Sequence, residues 1–277
     1  MIVVFTMGSQ RSGTRYLSDV FARNAKDCTA RHETLFEPAN PSMFGRPIYD
    51  RATGDVDAVR SLLERKRRAI ERHGTRCYVE TSNAFMLSAY DLAPEVFTDL
   101  RLIHLLRDPL KVARSSLNRY RLAERWRLPG RHYRAPDGRR YFRWSLTGRE
   151  PIFARTPGIE AHSLAWYALH WIEIENRICR FSDAFGLRER TFTLQAPDDL
   201  VDGERLASMF DFLGLERQHP HIAAGRRRNR NPGRPTEVTA DDRRVFAETI
   251  AQVPPEYLAI FESEPYLGRD WSAPLRA

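Results

Sequence analysis

The sequence predicts an α/β fold: a mainly parallel central sheet covered by helices on both faces. Three observations predict it. Residues Ile2 to Met7 (IVVFTM) form a short, apolar, β-rich run, the pattern of a buried parallel strand. A glycine-bearing loop follows, and then Arg15 to Ala25, where Tyr16, Leu17, Val20 and Phe21 recur at helical spacing. Strand-like and helix-like patterns then alternate along most of the chain, as a parallel sheet with crossover helices requires. With 277 residues, 42% of them hydrophobic, the chain can bury a substantial core, and we read 1–277 as one domain.

The elements follow in order. After the first helix a short second strand precedes Arg31, and a helix from near Asp55 to His73 leads into a strand at Arg76 to Glu80. A helix around Ala84 to Val96 precedes the strand Leu100 to Leu106 (LRLIHLL), and another begins after Pro109, a residue suited to a first helical turn. Residues Arg119 to Gly158, or about 119–160 as a segment, break the rhythm. They are rich in Arg, Tyr, Trp, Pro and Gly, and they read either as an inserted substrate lid or as a surface excursion. Ala161 to Ala184 is a long helix whose Leu164, Tyr167, Ala168, Trp171 and Ile172 belong to the core. Arg190 to Leu194 reads as a strand and Gly203 to Leu213 as a helix.

The net charge is +8, and nearly all the positive charge is arginine, with only Lys26, Lys66 and Lys111 as lysines. Arginine forks suit phosphate and sulfate, but a GC-rich genome also replaces lysine with arginine, so each arginine has to be judged in place. Cys28, Cys77 and Cys179 show no CxxC or metal-ligand spacing and read as free thiols in a reducing compartment. No apolar run is long enough to span a bilayer, and Ile2 to Met7 is too short for a signal-peptide core, so the expected location is cytoplasmic.

The loop Gly8-Ser9-Gln10-Arg11-Ser12-Gly13-Thr14 carries the first chemical signal. Backbone N–H groups of a glycine turn leading into a helix form an anion site. Gly8 and Gly13 have the spacing of GxxxxGK[ST]. Thr14, however, stands where the phosphate-bridging lysine of that motif would be, and Arg15 where its magnesium-binding hydroxyl would be. The cation has moved forward, to Arg11. Such a loop can hold a nucleotide phosphate without a metal.

GSQRSGTRYL resembles the 5′-phosphosulfate loop of sulfotransferases that use 3′-phosphoadenosine-5′-phosphosulfate (PAPS). The resemblance implies a P-loop-like sulfotransferase architecture with PAPS as sulfuryl donor and no metal. It also implies that Arg11 holds the bridging region and stabilises the leaving phosphate, and that Ser12, Gly13, Thr14 and Arg15 contact the 5′-phosphate. A second stretch, Leu102 to Pro109 (LIHLLRDP), with Ser115 eight residues beyond Arg107, is similar to the family's 3′-phosphate motif. There Arg107 and Ser115 would clamp the phosphate, while Asp108 caps the helix or orients Arg107. A third stretch, Phe192 to Leu200 followed by Phe212-Leu213-Gly214-Leu215, is similar to a family strand ending in Tyr-Glu-Asp-Leu and a later Phe-Leu-Gly. Pro197 replaces the tyrosine, whose nucleotide contact is therefore not carried over. Arg226 to Arg230 with Gly233-Arg234 falls where the family has a basic loop over the 3′-phosphate, and reads equally as a solvated loop.

Sulfuryl transfer needs a base to take the acceptor's proton. Relatives carry a glutamate in contexts similar to Arg31-His32-Glu33-Thr34-Leu35-Phe36-Glu37-Pro38, which puts Glu33 first, His32 second and Glu37 third. Glu80, at the end of its strand, could bind or position substrate. The acceptor, a hydroxyl or amine of a small molecule, lipid or carbohydrate, is left open. Two rivals stand beside this reading. One is a P-loop nucleotide kinase, which would need magnesium. The other is a non-catalytic module for anions or nucleic acid, which leaves two phosphate motifs on successive strand ends without a purpose; no nucleic-acid partner is expected.

Overall fold

The computed structural model describes residues 1–34, 37, 39–223, 225 and 237–275. Its strands are β1 (Ile2–Met7), β2 (Cys28–Arg31), β3 (Cys77–Glu80), β4 (Leu100–Arg107), β5 (His132–Arg134), β6 (Arg140–Phe142) and β7 (Thr191–Ala196). Five of them form one sheet in the order β2–β3–β1–β4–β7, every pairing parallel, and β5 and β6 form a separate antiparallel hairpin. The helices are α1 (Thr14–Asn24), α2 (Arg46–Ala52), α3 (Val56–Glu71), α4 (Ala93–Val96), α5 (Pro109–Arg125), α6 (Pro151–Arg155), α7 (Leu164–Ala184), α8 (Asp198–Val201), α9 (Gly203–Phe212), α10 (Ala240–Ile250) and α11 (Pro255–Leu258). The architecture is the expected α/β one.

The strands alternate their side chains between two apolar layers. Val3, Phe5 and Met7 pack with Leu62 and Leu63 of α3 and with Ile174 and Ile178 of α7. Val4, Ile103 and Leu105 face the other way, onto Leu17, Val20 and Phe21 of α1 and Leu206, Met209 and Phe210 of α9. A third cluster joins α5, α7 and α10, and it buries Tyr167, Ala168, Trp171 and Ile172 as core residues.

After β1 the chain moves toward β2 and β3; after β4 it moves the other way, toward β7. The loops leaving β1 and β4 therefore diverge, and a crevice opens between them at the carboxyl ends of the strands.

Two expected elements differ. The continuous helix over Ala84 to Val96 is instead a π-helical turn (Phe85–Ala89), a 3-10 turn (Tyr90–Leu92) and the short α4. Pro94 lacks the N–H that would bond the Tyr90 carbonyl, and its ring crowds that carbonyl, so a regular helix cannot pass through. The segment 119–160 is more ordered than its composition suggests: α5 runs on to Arg125, and the β5–β6 hairpin and α6 follow. The remaining elements start or end within a few residues of the expected limits. Among the described residues no helix is long and apolar enough to cross a membrane.

Candidate active site

The crevice is built first by two glycines. Gly8 ends β1 at φ 144°, and a Cβ there would lie 2.6 Å from the Leu105 carbonyl oxygen of β4. Gly13 adopts φ 104°, and a Cβ would meet Leu200 of α8 at 2.6 Å. Between them Arg11 takes a left-handed backbone conformation (φ 67°), which costs a non-glycine residue about 1–2 kcal/mol. Bonds at both ends of the residue hold it there. The Arg107 guanidinium donates to the Arg11 carbonyl, and Arg11 Nε donates to Ser115 Oγ at 3.0 Å. The three residues expected to grip phosphate at two separate places are thus brought into one interlocked group, across the β1–β4 crevice.

Behind this loop, α1 opens on Gly13 with no side-chain cap and no acidic residue in its first turn. The other described helices of eight or more residues are capped by side chains: Asp55 on α3, Asp108 on α5, Ser163 on α7, Asp202 on α9 and Thr239 on α10. The first N–H groups of α1 and its positive dipole end therefore face the cleft. Asp108 caps α5, accepting from Leu110 N at 2.9 Å and Lys111 N at 3.1 Å.

The cleft encloses about 140 Å³ between the loop after β1 and the residues following β2, β3 and β4. Arg11, Thr14 and Arg15 line it from the first loop and Arg107 from β4. His32 and Glu33 line it beyond β2, Gln10 from the loop after β1 and Asn83 from beyond β3, two residues the sequence did not single out, and Arg119 and Trp144 from the inserted segment. Among the described residues, three buried donors on its wall find no partner: Gln10 Nε2, Asn83 Nδ2 and Arg107 Nε. Orphaned buried donors are rare in folded proteins. Here they point to an oxygen-rich ligand.

Burial, the repulsion of Arg119 and that of Arg107 press the Arg11 guanidinium down to about 10, against the opposing pull of Glu33. Burial likewise lowers Arg107, and it lowers Arg119 with help from Arg131. Cations crowded in this way gain from an anion arriving between them.

Glu33 lies at the far side of the cleft, with a partner on each oxygen. Trp144 Nε1 donates to Oε2 at 3.3 Å, and His32 Nε2 lies 3.4 Å from Oε1. His32 Nδ1 is 3.0 Å from the Thr81 carbonyl oxygen, which only accepts, so Nδ1 carries a proton. Burial lowers the His32 pKa and favours the neutral ring, although the Glu33 carboxylate pulls the other way. Nε2 and Oε1 then face each other with room for one shared proton.

The other candidates lie elsewhere. Glu37 is paired with Arg31 at 3.1 Å and does not line the cleft. Glu80 is fully engaged in the interior, held by Lys66 Nζ at 2.7 Å and the Tyr78 hydroxyl at 2.7 Å. Ser12 is buried and closes the turn on the Ser9 carbonyl at 2.8 Å, and Ser115 meets the site through Arg11. The basic run 226–234 lies outside the described residues. Among the described residues no group of three or more His, Cys, Asp or Glu could hold a metal ion.

Gln10 follows a serine in a glycine loop, and Asn83 lies three residues past a strand end; either position could have been suspected from the sequence. Nothing in the sequence tied Trp144 to Glu33, 111 residues away.

No protein-family model matches the chain, and no curated protein matches it. Solved structures do. A sulfotransferase from Alicyclobacillus acidocaldarius aligns over 93% of this chain and 96% of its own, with a TM-score of 0.48 and 19% identity. The sulfotransferase domain from the curacin biosynthetic pathway aligns over 99% and 95%, with a TM-score of 0.48 and 13% identity. The sulfotransferase domain from the Synechococcus PCC 7002 olefin synthase aligns over 91% and 94%, with a TM-score of 0.43 and 15% identity. At this degree of likeness the functional reading rests on the residues of the cleft.

Proposed function

We propose that this chain is a PAPS-dependent sulfotransferase, transferring a sulfuryl group to a hydroxyl or amine of its acceptor. The observation that carries the reading is the interlock of Arg11, Arg107 and Ser115 across the β1–β4 crevice, with Glu33 facing it over one cleft. The donor set fits such a ligand: guanidiniums, the uncapped start of α1 and the orphaned amides of Gln10 and Asn83 all seek anionic oxygen.

When bound, PAPS supplies the sulfuryl group and carries away the bond electrons as adenosine 3′,5′-bisphosphate. Arg11 and the α1 N-terminus hold the 5′ side and stabilise the charge that develops there. Arg107 holds the 3′-phosphate, with Ser115 fixing the Arg11 guanidinium between the two sites. Glu33 accepts the proton of the attacking hydroxyl or amine. Trp144 orients one of its oxygens, and His32 stands ready to share the proton at the other. Glu37 and Glu80, committed to Arg31 and Lys66, have no part in this scheme.

The test is thermal. Adenosine 3′,5′-bisphosphate without magnesium should raise Tm, by about 2.7 kcal/mol of stabilisation at a hundredfold excess over Kd. Arg11→Ala and Arg107→Ala should each shrink that shift. Magnesium ATP stabilising as well or better would replace this reading with the P-loop kinase.

A further inference from the structure

Resting on that reading of the cleft, we infer that the acceptor itself is anionic: the group sulfated lies beside a carboxylate, phosphate or sulfate that the inserted segment holds. The first observation is where the charge sits. From Arg119 to Arg155 the chain has eleven arginines against Glu124, Asp137 and Glu150, a net +8 equal to that of the whole chain. An arginine-for-lysine bias leaves charge unchanged, so it does not account for this concentration of one sign.

The second observation is where the segment meets the chemistry. Its Trp144 donates to Glu33, and the guanidiniums of Arg119 and Arg131 stack on that indole, 5.7 and 5.0 Å from the ring centre. Neither arginine forms an ion pair with an acidic side chain among the described residues. Burial and the repulsion of Arg131 lower Arg119, so these cations are held together at a cost that an incoming anion relieves. An acceptor must touch Glu33 to lose its proton. In doing so it comes against Arg119, which lines the cleft, with Arg131 adding its charge from the same indole, whereas the donor's phosphates are already served by Arg11, Arg107 and the start of α1. A neutral acceptor would leave Arg119 and Arg131 with the Glu33 carboxylate as the one counter-charge acting on Arg119 among the described residues; an acidic one would be drawn in and fixed beside the base.

The experiment uses the full chain, first titrated with adenosine 3′,5′-bisphosphate and then kept saturated with it, so that its own phosphate sites are filled. Failure of that first titration would refute the donor reading separately. Matched probes are then titrated calorimetrically: 4-hydroxyphenylacetate against its amide, and glucuronate against glucose. The acid of at least one pair should bind tenfold or more tighter than its neutral partner at low salt, with the advantage shrinking as salt rises. Arg119→Gln/Arg131→Gln should cut the advantage below threefold and leave bisphosphate affinity within twofold, while Arg119→Lys/Arg131→Lys, which keeps the charge, should retain it. Equal binding within both pairs, or an advantage unchanged in the glutamine variant, overturns the inference. So does an oligothymidylate that binds the saturated protein more tightly than either acid, which would make the segment a nucleic-acid surface.

Discussion

Glu33 and Glu80 stand close together at the carboxyl end of the sheet, and they have opposite fates. Glu80 pairs in register with Arg31 of the neighbouring strand, and Glu33 lies two residues past that position. Glu80 is sealed in: Lys66 and Tyr78 reach it, and the same ammonium bonds Asn40 Oδ1 at 2.9 Å and the Pro41 carbonyl at 3.0 Å. Glu33 keeps 26% of its side chain exposed and opens on the cleft. A buried carboxylate whose Oε2 is held by both an ammonium and a phenol serves the fold, because removing its charge would strand those partners. A carboxylate steadied by one indole and one imidazole, with lone pairs still facing a cavity, can take a proton. The buried group also supports the open one, since Lys66 bonds both Thr34, the residue after Glu33, and Pro41 while it holds Glu80 at the end of β3.

The contrast can be broken most sharply at Lys66. Lys66→Met leaves Glu80 buried without its counter-ion and should cost about 3–5 kcal/mol in urea unfolding. A loss below about 1 kcal/mol would mean that the pair does not hold the fold.

Glu33→Gln should do the reverse. Stability should stay within about 1 kcal/mol of the parent and adenosine 3′,5′-bisphosphate should still bind, but turnover should fall by about 10²–10⁴. Retained turnover would remove Glu33 as the base.

The smallest effect is spread over pH. Burial holds His162 down at about 4 and His170 at about 3, each below its ordinary 6.5. The unfolded chain therefore binds protons that the folded one refuses. Stability from these two groups is complete above pH 6.5 and drains away as pH falls toward 4 and then 3, by up to about 1.4 kcal/mol per pH unit for each. Urea midpoints between pH 7 and pH 5 measure the slope. His170→Asn should flatten it, and an unchanged slope would place the acid sensitivity elsewhere.

The strands were legible because parallel strands buried on both faces must be apolar almost throughout, as IVVFTM and LRLIHLL are. Arg11 was legible because a glycine turn between a strand and a helix has a short, fixed spacing, and Arg107 because it closes the apolar strand just before a helix that starts at Pro109. The broken helix over Ala84 to Val96 was missed because the apolar positions of FMLSAYDLA suggest a helix, while Pro94 acts on a hydrogen bond that such periodicity does not report. In the sequence Glu33 came first as the base only through a resemblance, and Glu80 was left as a group that binds or positions substrate; the residues around them do not show which one opens on a cleft. Each follows a strand, and what separates them is Lys66 on a helix in one case and Trp144 in a distant segment in the other.

By itself, then, the sequence determined the sheet and the glycine loop after its first strand, with Arg11 in place of the usual lysine, because each rests on residues adjacent in the chain. Only the tertiary structure decided that Arg11, Arg107 and Ser115 form one group, that Glu80 belongs to the interior, and that Trp144 and Arg119 border the site of the proposed base. Those facts depend on side chains that meet across the β1–β4 crevice or under the inserted segment, up to 111 residues apart, and no local pattern encodes such distances.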